Sequence, residues 1–146
     1  QIPRSSLSRQ TRVSIVPETF TIEQARELVP WLQKTFDAMQ PLIDKLADTR
    51  REVQGKSKHI RSNGGEKAEE EMIQAHGSLQ TVEEEINQLI APVVDRGILI
   101  KSVEGGLIDF PSLMDGNLIY LCWQAGEPEL MYWHTVDSGF AGRQSL

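Results

Sequence analysis

LIYLCWQAGEPELMYWH, residues 118–134, gathers side chains that do chemistry. It holds the only cysteine, Cys122, two of the three tryptophans, both tyrosines and one of the three histidines, His134, around a Gly126-Glu127-Pro128 break. Thiolate, imidazole and carboxylate are all zinc ligands, and a base beside a thiol is what activates a cysteine nucleophile. Strand spacing decides whether these groups meet. NLIYLCWQ and ELMYWH read as strands separated by turn residues Ala125–Pro128. If Gln124 pairs with Glu129 across this four-residue loop, Cys122 lies on the opposite face from His134. Setting His134 opposite Leu118 instead puts both on one face, but roughly 13 Å apart at ~3.3 Å per residue. Zinc holds its ligands at about 2.0–2.3 Å. The spacing therefore predicts that Cys122 and His134 share no metal, that Glu127 is farther from His134 still, and that Cys122 is an inert buried thiol.

A smaller polar group survives that test. Residues 107–110 are expected to pair with the start of 118–123 through a loop over 111–117, bringing Asp109 to the end of the sheet that carries His134. The tail HTVDSGFAGR adds Asp137 and Arg143 there. Asp109, His134, Asp137 and Arg143 form a candidate ligand or anion site, able to hold a metal or to orient a histidine base. The structural alternative is that Asp109 and His134 cap strand ends while Arg143 pairs with a carboxylate. Trp123, Trp133 and Phe140 are expected in the core, and His59 and His76 on the surface.

The elements that must position these groups are legible from periodicity. Thr21 and Gln24 have the spacing of a capping box. Beyond them Ile22, Val29, Phe36 and Ile43 alternate with Ala25, Leu32, Met39, Leu46 and Val53 in a seven-residue repeat. Ala68, Ala75, Val82 and Leu89 alternate with Met72, Leu79, Ile86 and Val93 in a second such segment. Helices are predicted over about 21–54 and 66–95, with a kink or break at the prolines, at Pro30 above all, and an end at Pro92 and Gly97. The polar, Gly-rich stretch 55–65 reads as the connection. From residue 98 to 134 the pattern changes to short strands. The fold class is α+β: a long, coiled-coil-like antiparallel helical hairpin with a C-terminal antiparallel meander of three to four strands, and strand 118–123 covered on both faces. Arg50, Arg51, Lys56, Lys58 and Arg61 make the hairpin tip basic, either as a solvated loop or as a contact surface for phosphate or an anionic surface.

Composition bounds the rest. A chain of 146 residues with 39% hydrophobic and 25% charged residues fits one domain over 20–146. A net charge of −6 argues against whole-surface nucleic-acid binding. No apolar run approaches the ~18 residues of a membrane-spanning helix. A phosphate loop, a dinucleotide glycine fingerprint, a nucleophile elbow and an HExxH pair are all missing, so no motif implies a cofactor. Residues 1–19 form a basic leader with Arg4, Arg9 and Arg12 and no acid before Glu18, the composition of an organelle transit-peptide remnant.

FTIEQARELVPWL, followed by GGLIDFPSLMDGNLIYLCWQAGEPELMYWHTVDSGFAGR, resembles an uncharacterised family, the domain of unknown function 2203. The likeness runs from about Phe20 to Arg143 and is closest over Gly106–Arg143, through G-L-x-D-F-P, L-C-W, G-E-P, W-H and G-F-A-G-R; it is loosest over 55–65. The resemblance implies no activity. It does imply bacterial, archaeal and plastid members that start near the F-T motif, so the extra leader favours a plastid location over a cytoplasmic one. The unassembled catalytic groups and the long apolar stripes point to a non-enzymatic protein-interaction module. Such a module would be an assembly factor or accessory subunit that meets a protein partner or its own copy through the hairpin. The alternative is a small-ligand or metal-binding protein, or an enzyme, using the polar cluster around His134.

Overall fold

The computed structural model describes residues 18–63 and 65–146. The leader over 1–17 and the side chains of His59 and Arg61 lie outside the described residues. Helix α1 spans Ile22–Asn63 and α2 spans Glu66–Asp95. The capping box closes reciprocally at the start of α1: Thr21 N–H donates to Gln24 Oε1 at 2.9 Å, and Gln24 N–H to Thr21 Oγ1 at 3.1 Å. The two heptad stripes supply the seam. Ala25, Val29, Leu32, Phe36 and Met39 of α1 are buried with Ala75, Val82, Ile86 and Val93 of α2.

Three expectations about the helices need correction. Pro30 and Pro41 lie inside one continuous helix of 42 residues, so neither of them breaks it. Both are exposed, so each missing bond falls on the solvent side while the buried stripe holds the helix together. The helix also runs on through 55–63 rather than yielding to a loop, which makes it about 63 Å long. Gly55 costs roughly 1 kcal/mol there, offset in part by Lys56, which reaches Glu52 at 3.8 Å and Glu71 of α2 at 3.3 Å. Pro92 is carried within α2, whose end is set by Gly97 at φ +83°, donating its N–H to Val94 O.

Five antiparallel strands follow, in the order β1 (Leu99–Ser102), β2 (Leu107–Met114), β3 (Asn117–Gln124), β4 (Tyr132–Thr135) and β5 (Gln144–Ser145). The fifth strand corrects the expected three to four: the tail turns through a short 3-10 element at Phe140–Gly142 and pairs Gln144 with Trp133. The expected loop over 111–117 is a two-residue turn, with Asp115 at φ 51° and Gly116 at φ 80°, both left-handed as a type I′ hairpin needs. Pro111 is tolerated within β2 because its carbonyl points away from β3 and accepts from Phe20 N–H at 2.7 Å. In an antiparallel strand its nitrogen points the same way, beyond the reach of β1, so no ladder bond is lost.

One face of the sheet packs on the helices. Ile108, Phe110, Ile119, Leu121 and Trp123 join the helical seam in a single core. Phe36 meets Trp123 at 6.2 Å between ring centroids, and Phe20 meets Phe110 edge-on at 5.4 Å. Longer-range hydrogen bonds fix the sheet on α1: Gly126 N–H donates to Gln33 Oε1, and Arg26 Nε to Leu130 O.

Candidate functional site

Alternation along β2, β3 and β4 puts a second set of side chains on the face turned away from the helices. Asp109 pairs with Cys122, Tyr120 with His134, and Cys122 with Tyr132. Asp109, Cys122 and His134 therefore share one face on three adjacent strands. Their ligand atoms lie within 4.8 Å of one another. All three residues are buried.

The spacing argument against a Cys122–His134 site is overturned. It fails because the connection between β3 and β4 covers residues 125–131 and slides the register opposite to the direction considered. His134 lands opposite Tyr120, leaving Cys122 a diagonal neighbour. Glu127 shapes that wide loop. Its carboxylate accepts the Gln124 N–H at 2.6 Å, and its carbonyl accepts the Trp123 indole N–H at 3.1 Å.

His134 is held from both sides. Nδ1 lies 2.8 Å from the Thr135 carbonyl, and Nε2 lies 3.0 Å from Asp109 Oδ1. The Cys122 thiol hydrogen-bonds the Asp109 carboxyl group, and burial first, then the Asp109 charge, pushes its pKa up from 9.0 to about 12. The thiol is thus a poor nucleophile. Above the cluster is a pocket of about 230 Å³ whose lining includes Lys101, Leu107, Asp109, Tyr120, His134 and Phe140. Lys101 Nζ stands 5.6 Å over the Tyr120 ring.

Of the four residues expected to assemble, Asp109 and His134 do. Arg143 approaches from the other flank and is a neighbour rather than a member. Nη2 donates to Glu127 at 2.6 and 2.8 Å and to the Cys122 carbonyl at 3.4 Å. Its guanidinium stacks on Tyr132 at 3.9 Å and on Phe140 at 4.6 Å, while Nε is buried without a hydrogen-bond partner among the described residues. Asp137 is exposed, and no hydrogen bond or ion pair among the described residues ties it to the cluster. Phe140 is 46% exposed rather than core, since the tail lies on the outer face and shows one side of its ring to solvent. This tail also makes the cover over β3 a partial one.

The basic tip is a network of ion pairs. Arg50 faces Glu83 at 4.0 Å, Arg51 pairs with Asp48, and Lys56 bridges to Glu52 and Glu71; Lys58 is exposed. These contacts are solvated and individually weak. Cys122 and Glu127 are the functional candidates that strand spacing missed. No local signal marks them, because the loop that sets the β3–β4 register is held by the contact of Glu127 with Arg143.

The molecule is thus a helical hairpin backed by a meander whose outer face carries a buried Asp–Cys–His cluster. Residues 18–146 match the model of a family described as uncharacterized conserved protein (DUF2203), and the chain belongs to that family. No curated protein and no solved structure matches it.

Proposed function

We propose that the protein is a small-ligand-binding protein whose working site is the pocket on the outer face of the sheet. One observation carries this reading: a buried, hydrogen-bonded Asp109–His134 pair forms part of the lining of an open pocket. Buried polar pairs facing a cleft are the usual sign of a recognition site. Lys101 supplies a positive charge at the rim, so the ligand class that fits is a small organic anion with an apolar part against Leu107 and Phe140. The test is extraction of small molecules from gently purified protein, followed by mass spectrometry. Wild type should carry an acidic compound that Leu107→Trp, which fills the pocket, and Lys101→Glu both lose. A wild type with nothing beyond the Leu107→Trp background would sink the reading.

A second reading, a protein-interaction module, draws support from the hairpin. Ile73 of α2 is 71% exposed. A groove of about 310 Å³ mixes Ile43, Leu46, Ile86, Ile90 and Val103 with Arg50, Glu83, Asn87 and Glu104. A coiled-coil-like hairpin with such surfaces would suit an assembly factor or accessory subunit that docks a protein partner or a second copy. A concentration-independent monomer mass by light scattering, together with no partner in native cross-linking, would end it. The basic leader supports a plastid setting, which immunoblotting of isolated plastids would test.

A further inference from the structure

The cluster beneath the pocket has a hydrogen count that does not close without a shared proton or a metal ion. His134 Nδ1 sits 2.8 Å from the Thr135 carbonyl oxygen. A carbonyl only accepts, so Nδ1 carries a hydrogen, and in a neutral ring Nε2 is left as a lone pair. That lone pair faces Asp109 Oδ1 at 3.0 Å, and a carboxylate oxygen has no hydrogen to give. With both side chains 3–4% exposed, water does not screen them, and the two lone pairs repel unless a positive centre lies between. The centre is either a shared proton or a metal ion.

Three observations favour the metal. Cys122 adds a sulfur, so a carboxylate oxygen, an imidazole nitrogen and a thiol all converge within 4.8 Å. The Nδ1–H bond to a backbone carbonyl is the outer contact that typically orients a metal-bound imidazole. Finally, one thiolate and one carboxylate cancel the charge of a divalent ion, which a buried site requires.

We propose that Asp109 Oδ1, Cys122 Sγ and His134 Nε2 bind a divalent transition metal of the zinc class. The mixed oxygen, sulfur and nitrogen set suits zinc among the first-row ions. Tetrahedral zinc separates such ligand atoms by about 3.3–3.6 Å, so the Asp109–His134 pair at 3.0 Å opens by a few tenths of an ångström while the widest separation, within 4.8 Å, closes by about 1 Å. On binding, the metal displaces the thiol proton and the proton held between Asp109 and His134. Both leave to solvent, and the loaded cluster is neutral. Asp109 and His134 line the pocket, so a fourth coordination position is open on that side, the arrangement of a site that exchanges ligands rather than one that only braces a fold.

The site lies at the floor of the pocket lined by Lys101 and Tyr120 but does not depend on an organic ligand being there. The test is elemental analysis of untagged protein grown with added zinc and dialysed, together with absorption spectra after replacement by cobalt(II). Wild type should hold stoichiometric zinc, and its cobalt form should show a thiolate-to-cobalt charge-transfer band. Cys122→Ser should lose the band while staying folded by circular dichroism, and His134→Gln should weaken metal binding about tenfold or more. A folded, metal-free wild type, a cobalt form without the thiolate band, or unchanged metal in both variants would each overturn the proposal. Zinc without a bound organic anion would sink the ligand reading alone, and the reverse result would sink this one alone.

Discussion

The two faces of β3 are built from alternate residues of one eight-residue strand and do opposite work. Toward the helices, Ile119, Leu121 and Trp123 are 5%, 0% and 0% exposed and fill an apolar core. Away from them, Tyr120 and Cys122 join Asp109 and His134 in a polar cluster under a pocket. The inner face is held by area and volume, the outer one by a few directed contacts. A single strand thus gives the site a rigid support without any loop having to position it.

Breaking the inner face should cost most. Trp123→Ala removes a fully buried indole and leaves the Glu127 carbonyl without its donor. A loss of about 3–5 kcal/mol is expected in urea denaturation, and a loss near zero would show that stability resides elsewhere. On the outer face, Arg143→Ala strips the Glu127 carboxylate of its cation and should cost about 2 kcal/mol. Unlike the tryptophan change, it should also speed alkylation of Cys122 in the native protein, read by mass spectrometry, because it opens the tail that covers that face.

A smaller effect sharpens the contrast through pH. In chelator-treated protein the Cys122 thiol is raised from 9.0 to about 12 by burial and by Asp109. An acid raised in the fold adds stability that is fully present below its unfolded value and lost as pH climbs to the folded one. Stability should therefore fall between pH 9.0 and about 12, and less steeply in Cys122→Ala. Equal slopes in the two proteins would remove the thiol from the account. Smallest of all, Arg50→Ala, at a half-exposed position along α1, should change stability by less than about 0.5 kcal/mol in the same assay.

Periodicity made both helices and the meander visible in the sequence, because amphipathic stripes record which side of each element is buried. The heptad positions Ala25, Val29, Leu32, Phe36 and Met39 of α1 are all buried. The register of β3 and β4 was not visible, and with it went the cluster. Turn residues Ala125–Pro128 argue for a tight loop, but Glu127 is claimed by Arg143, sixteen positions on. A contact that distant leaves no local trace in turn chemistry. Pro111 misled for a similar reason: it ends strands unless the edge it faces is otherwise satisfied, and here Phe20, from before α1, satisfies it.

The strictly sequential order of the sheet, β1 to β5 with each strand beside its predecessor, bears on how the chain finds its structure. Nearly every pairing joins neighbours in sequence, so loop-closure entropy is small at each step, and topology of this kind folds faster than interleaved sheets. Refolding in about milliseconds is the expectation for such mixed α/β chains. The long reaches are those that tie the start of α1 to the sheet: Phe20 to Pro111 and Ser112, Arg26 to Leu130, and Gln33 to Gly126. Docking of the sheet on α1 is therefore the step that must close the whole hairpin at once, and weakening it with Ser112→Ala should slow refolding more than it speeds unfolding only if that contact forms early.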